Sequence, residues 1–153
     1  MNKDQRIIDG FVFTHTDAPR AQDKDHIHRQ IQAFNDAASE HHRDIRPAGP
    51  KPLAILMRDS EGRLVGGLIA RTYWGWLEID DLYLDEALRG RGYGRELLRM
   101  AEKKARERGC TRVMLRTFSF QAQGFYEKEG YRVVGELGDY PPGATFYWMR
   151  KDM

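Results

Sequence analysis

The run Arg89-Gly90-Arg91-Gly92-Tyr93-Gly94 constrains this chain more than any other stretch, because its three alternating glycines stand between a strand and a helix. Upstream, Trp76 to Leu84 reads as a strand. Downstream, Tyr93 to Arg108 reads as the clearest helix of the chain. Tyr93, Leu97, Met100, Ala101 and Ala105 recur as its apolar stripe, while Glu102, Lys103, Arg106 and Glu107 are expected to face water. Gly109 suits a left-handed cap after the last turn. Glycine admits positive φ and lets a ligand approach bare N–H groups. Those groups, with the positive end of the helix dipole, make an anion site. Arg89, Arg91 and Arg95 add charge suited to phosphate oxygens. The loop therefore predicts a phosphate or pyrophosphate site. The bland alternative is a tight turn that needs its glycines for shape alone.

The run also excludes two familiar phosphate loops. The Gly-x-x-x-x-Gly-Lys-Ser/Thr pattern is absent. A Gly-x-Gly-x-x-Gly fingerprint would place its third glycine at position 95, which is Arg95, and would belong near the first strand of a parallel sheet.

Around this centre the chain alternates strands and helices. Gly10 to Thr16 reads as a short strand and Asp25 to His42 as an amphipathic helix carrying Ile27, Ile31, Phe34, Ala37 and Ala38. A loop with Pro47, Pro50 and Pro52 follows. Leu53–Arg58 and Leu64–Trp74 form a hairpin, Arg112–Phe118 a strand, Gln121–Glu129 a helix closed by Gly130, and Tyr131–Glu136 and Thr145–Arg150 the last strands. The order β-α-β-β-β-α-β-α-β-β predicts an α/β (α+β) domain with a mixed sheet and helices on its faces.

At 153 residues the chain is expected to form a single domain spanning 1–153, large enough to bury roughly 70% of its unfolded surface. Lys and Arg number 25 against 23 Asp and Glu, a net charge of +2 that is too balanced for a nucleic-acid binder. No apolar run approaches a membrane span. The first residues lack the apolar core of a signal peptide, and the lone Cys110 suits a reducing compartment, so a cytoplasmic protein is expected. The five histidines, His15, His26, His28, His41 and His42, have no Cys or carboxylate completing a metal set, and no metal is expected.

The arrangement Arg89-x-x-Gly92-x-Gly94 resembles the (Arg/Gln)-x-x-Gly-x-(Gly/Ala) motif of the GNAT superfamily of N-acetyltransferases. A second stretch, Ala122-x-x-Phe125-Tyr126-Glu127-Lys128-x-Gly130-Tyr131, resembles that superfamily's last characteristic helix. One helix and one strand separate the two, as in the family, and the likeness spans about residues 50 to 150. The resemblance implies a GNAT-like fold with a mixed, mostly antiparallel central sheet flanked by helices. It implies acetyl-CoA as co-substrate, held through Arg89, Gly90, Arg91, Gly92, Tyr93 and Gly94. Backbone groups of Leu82, Tyr83 and Leu84 would polarise the thioester. Where the family often has Asn this chain has Ser119, which can still cap the following helix but puts any Asn contact to the cofactor in question.

Acetyl transfer to an amine needs a proton removed from nitrogen, a polarised thioester carbonyl and a proton for the leaving thiolate. Holding both substrates together supplies much of the rate, so Cys110 is not needed as a nucleophile. For the base, the strand before the loop offers Glu78, Asp80 and Asp81; the resemblance favours Glu78, eleven residues before Arg89, and assigns the acid to Tyr126. Each of these also has a structural explanation, as a solvated strand carboxylate or a core aromatic. The cluster Glu78, Asp80, Asp81, Asp85, Glu86 hints at a small cationic amine as acceptor. A protein acceptor (lysine or N-terminal), or an acyl-CoA-binding module without catalysis, stays open beside it. A homodimer is common among similar proteins.

Overall fold

The computed structural model describes residues 5–153, and the chain divides after Pro47 into two compact units. In the first unit, β1 (Gln5–Ile8) and β2 (Phe11–Thr14) form an antiparallel hairpin. Its two-residue turn is Asp9-Gly10, both at positive φ (50° and 84°). Asp-Gly is the favoured pair for such a turn, so the expected strand from Gly10 to Thr16 begins inside the turn instead. The expected helix over 25–42 is two helices, α1 (Ala21–Ala38) and α2 (Glu40–Ile45). Ser39 separates them with extended backbone (φ −141°, ψ 117°), and its hydroxyl accepts the His42 N–H at 3.2 Å. The junction is pinned by Asp36, whose carboxylate binds both Arg46 and His42. Those bonds hold its pKa down to about 2. Along α1, the apolar stripe residues Ile27, Ile31 and Phe34 are exposed.

The second unit is a six-stranded sheet with two helices. Its strands are β3 (Lys51–Arg58), β4 (Leu64–Tyr73), β5 (Trp76–Leu84), β6 (Arg112–Phe118), β7 (Arg132–Gly138) and β8 (Thr145–Asp152). They lie in the order β3-β4-β5-β6-β8-β7. Every neighbouring pair is antiparallel except β5 with β6. A parallel pair needs a crossover, and α3 (Tyr93–Glu107) supplies it. The second helix, α4 (Gln123–Lys128), connects β6 to β7. This is the mixed sheet with flanking helices that the sequence predicts.

Alternation along the strands sends Leu68, Ala70, Leu77, Ile79, Val113, Leu115 and Met149 into one core, which Leu97, Leu98, Ala101 and Ala105 of α3 complete. The stripe on α3 is rotated from the expected one. Met100 is 47% exposed, whereas Glu102, expected in water, is 4% exposed. Its carboxylate accepts Lys151 Nζ at 2.8 and 2.9 Å and the Tyr131 hydroxyl at 2.9 Å. A buried carboxylate persists only when it is paired and hydrogen-bonded, and these two partners come from segments 29 and 49 residues away in sequence.

Candidate active site

The parallel ladder between β5 and β6 is short. It joins Trp76–Ile79 to Arg112–Leu115 and stops there, although both strands continue. The cause lies on the other side of β5. In its ladder with β4, Ala70 faces Ile79 and Ile69 faces Asp81, so Asp80 is an extra residue. A bulge of this kind bends its strand and sharpens the local twist. Beyond Ile79 the two strands are unpaired with one another, and the backbone groups of β5 that point away from β4 have no ladder partner there.

A cleft of about 890 Å³ opens along this fork. Asp80 to Leu84 line one arm, Arg116 and Thr117 the other. Arg89, Gly90, Gly92, Gly94 and Arg95 form one end of the lining, and Phe120, Gln121, Ala122, Phe125 and Tyr126 contribute from the β6–α4 segment. Thus Leu82, Tyr83, Leu84, Arg89, Gly90, Gly92, Gly94 and Tyr126, predicted as site residues, share one cleft. Glu78, Arg91, Tyr93 and Ser119 are not in its lining.

The glycine loop has the form of an anion cradle. Gly90 and Gly92 have φ of 72° and 86°, and a Cβ added at either would meet nothing within 4 Å. Gly92 also starts α3 without any side-chain cap. Backbone N–H groups from Gly90 through Arg95 find no acceptor among the described residues. A row of uncommitted donors at the N-terminus of a 15-residue helix is what a pyrophosphate requires, so the loop fits that group. Arg89 ties the loop to the strand end, its Nε donating to the Leu84 carbonyl at 3.1 Å. Gly94 serves packing, since a Cβ there would lie 3.1 Å from Phe125 Cζ. Arg91 turns outward over the Tyr93 ring, 5.4 Å from its centroid.

Tyr126 is 8% exposed, edged by the rings of Phe125 and Tyr131. Its hydroxyl has no hydrogen-bond partner among the described residues, and burial pushes its pKa above the ordinary tyrosine value. The result is a neutral O–H donor in a desolvated wall of the cleft. The three carboxylates of β5 are placed differently. Glu78 accepts Arg71 Nε at 2.7 Å, and Asp80 accepts Arg71 Nη1 at 3.3 Å. Asp81 lines the cleft and has no ion-pair or hydrogen-bond partner among the described residues. Nothing in the sequence marks Arg71 as their partner, because the pairing depends on a cross-strand register.

Ser119 does not cap α4. Its hydroxyl accepts the Thr145 N–H at 3.1 Å and its own N–H donates to the Thr145 carbonyl at 2.8 Å, fastening the end of β6 to β8. Gln121 takes over the local polar work, its Oε1 accepting from the Phe118 N–H and the Thr117 hydroxyl. Cys110 is 5% exposed and burial raises its thiol pKa, which leaves it an inert core side chain. Among the described residues, no group of three or more His, Cys, Asp or Glu could hold a metal ion, and no helix is long and apolar enough to cross a membrane.

A model of the acetyltransferase (GNAT) family matches residues 16–131. A blasticidin-S acetyltransferase of Streptomyces morookaense is 37% identical over 131 residues, covering 81% of this chain and 96% of the relative. An acetyltransferase of Agrobacterium fabrum is 37% identical over 101 residues, 66% of this chain and 74% of its own. Among solved structures, an acetyltransferase from Bacillus cereus superposes with a TM-score of 0.79 at 30% identity, covering 92% of this chain and 98% of that one.

Proposed function

The chain belongs to the acetyltransferase (GNAT) family and is an acyltransferase, and from that premise we propose that it moves an acetyl group from acetyl-CoA directly onto the primary amine of a small, cationic molecule. The observation that carries the proposal is the row of free N–H groups from Gly90 to Arg95, opening into the same cleft as Tyr126 and Asp81. The pyrophosphate of CoA binds that row. The unpaired edge of β5 from Asp81 to Leu84 runs from there toward Tyr126 and offers backbone donors to the acyl arm and its carbonyl. A relative named for blasticidin-S supports a small-molecule acceptor. A single buried cysteine and this co-substrate both suit the cytoplasm.

In the transfer itself, the amine nitrogen forms a bond to the thioester carbon and the C–S bond breaks. Tyr126 gives its hydroxyl proton to the departing sulfur. Before attack the ammonium loses its extra proton through water to a carboxylate of β5, and the second proton, shed by nitrogen after attack, restores the Tyr126 hydroxyl. Asp81, which lines the cleft with no partner among the described residues, is better disposed to be that carboxylate than Glu78, whose charge is committed to Arg71.

Thiol release from acetyl-CoA against a panel of amines tests the reading. Asp81→Asn should lower kcat by about 100-fold with CoA affinity unchanged, and Glu78→Gln by less than about tenfold. The reverse ranking would return the base to Glu78. Absence of thiol release with every amine, from a protein that binds CoA normally, would remove the catalytic reading altogether.

A further inference from the structure

Four cationic side chains line the cleft, and three lie toward its glycine-loop end. Arg89 is bonded to the Leu84 carbonyl, Arg95 is paired with Glu129 at 2.8 Å, and Lys128 sits beside Glu129 at the end of α4. The fourth, Arg116, lies on the other arm of the fork. The last rung of the parallel ladder is Ile79 with Leu115, so Arg116 on β6 is level with the bulge on β5. Leu115 and Thr117 point into the core, and alternation therefore puts Arg116 on the sheet face away from α3. Asp81 shares that face, because it lies directly opposite Ile69, which is 45% exposed, rather than opposite a core residue.

Charges on this face are unevenly spent. Arg71 already bonds both Glu78 and Asp80. Arg150 is held by Asp152 at 2.6 Å. That leaves the Asp81 carboxylate and the Arg116 guanidinium, one on each arm of the fork and both lining the cleft. Neither has an ion-pair or hydrogen-bond partner among the described residues, and they are not paired with one another. Opposite charges facing one cleft without neutralising each other fit a ligand that carries both signs. We propose that the acceptor amine also bears a carboxylate, as an amino acid does, with Asp81 receiving the ammonium and Arg116 the carboxylate. The assignment rests on the acetyl-transfer reading above and revises its acceptor from a simple cation to a molecule whose ammonium is accompanied by a carboxylate. It makes Arg116 a specificity-determining residue, since its planar fork matches a carboxylate in a way a bare amine cannot use.

Matched probes differing only in the carboxylate test this: lysine against cadaverine, ornithine against putrescine, and β-alanine against ethylamine, each with saturating acetyl-CoA. The wild-type protein should turn over the carboxylate-bearing member of a pair with the higher kcat/KM. Arg116→Ala should raise the KM for that member by about 10- to 100-fold, the size of a charged hydrogen bond, while the bare amine changes by less than about threefold. Arg116→Glu should invert the preference, and Arg116→Lys should restore part of it. Equal loss for both members, no loss for either, or a wild-type preference for the bare amines would overturn the proposal. The thermal shift of each variant with acetyl-CoA alone is a separate readout. Normal shifts beside lost discrimination place the effect at the acceptor, whereas a wild-type protein that shows no shift removes the parent reading instead.

Discussion

At the scale of single residues, the proposed transfer depends most on one donor, the Tyr126 hydroxyl. A group that protonates a leaving thiolate must still hold its proton at the working pH, and burial ensures this by disfavouring the phenolate. Because the pKa is raised, the neutral form persists through the neutral range and past the ordinary tyrosine value of about 10. Tyr126→Phe keeps the ring that packs on Phe125 and Tyr131 and removes only the O–H. We expect kcat to fall about 100-fold, the usual contribution of a positioned acid, with little change in the KM for acetyl-CoA. In the wild-type protein the pH profile of kcat should show no alkaline loss from this group below about pH 10. A descending limb near pH 8 that vanishes in the Phe variant would contradict the assignment.

At the scale of elements, α3 joins the sheet to the glycine loop, and its buried face combines leucines with a polar contact. Glu102 sits under the helix with Lys151 of β8 and Tyr131 as partners. Glu102→Ala would leave an ammonium and a hydroxyl largely buried without an acceptor, at a cost of about 3 kcal/mol. Glu102→Gln, which keeps an acceptor and loses the charge, should cost roughly half as much. Urea unfolding should show the midpoint falling with an unchanged slope. The exposed pair Lys104–Glu107 is the control, and its loss should leave the midpoint nearly unchanged because water and salt screen it. If removing Glu102 costs no more than removing Glu107, the buried contact is not what holds the helix. This contact also marks the limit of what periodicity reveals. The helix, its glycine start and the strand before it are legible because propensity, capping and spacing all act within a few residues. Glu102 is spaced like a solvent residue, and the arrival of Tyr131 and Lys151 from 29 and 49 positions away makes its burial tolerable. The bulge at Asp80 and the Arg71–Glu78 pair are hidden for the same reason, since a register is a relation between strands. The break at Ser39, by contrast, was available locally: a serine followed three residues later by a bonded N–H is an ordinary helix start.

For the molecule as a whole, the two compact units make ligand binding a way of asking which part of the chain the site stabilises. Every residue lining the cleft lies between Asp80 and Glu129, inside the second unit. A ligand that binds only the folded form stabilises it by about 2.7 kcal/mol at a concentration 100 times its Kd. For a chain of this length that corresponds to a rise in Tm of about 5 to 10 °C. Acetyl-CoA should therefore raise the transition in which the second unit melts, and calorimetry will show whether any heat is left behind at the original temperature. Gly92→Val addresses the cause of the shift. A valine at φ 86° is strained, so the unliganded variant will itself melt lower. The informative quantity is therefore the increment on adding acetyl-CoA rather than the absolute Tm. A Cβ at Gly92 would meet no protein atom within 4 Å, so a side chain there would occupy the open space beside the N–H groups that are proposed to hold the pyrophosphate. The increment should vanish in this variant and survive in Arg91→Ala, whose side chain lies outside the cleft lining. A normal increment in Gly92→Val would mean that the nucleotide is held elsewhere and that the three glycines serve only the turn.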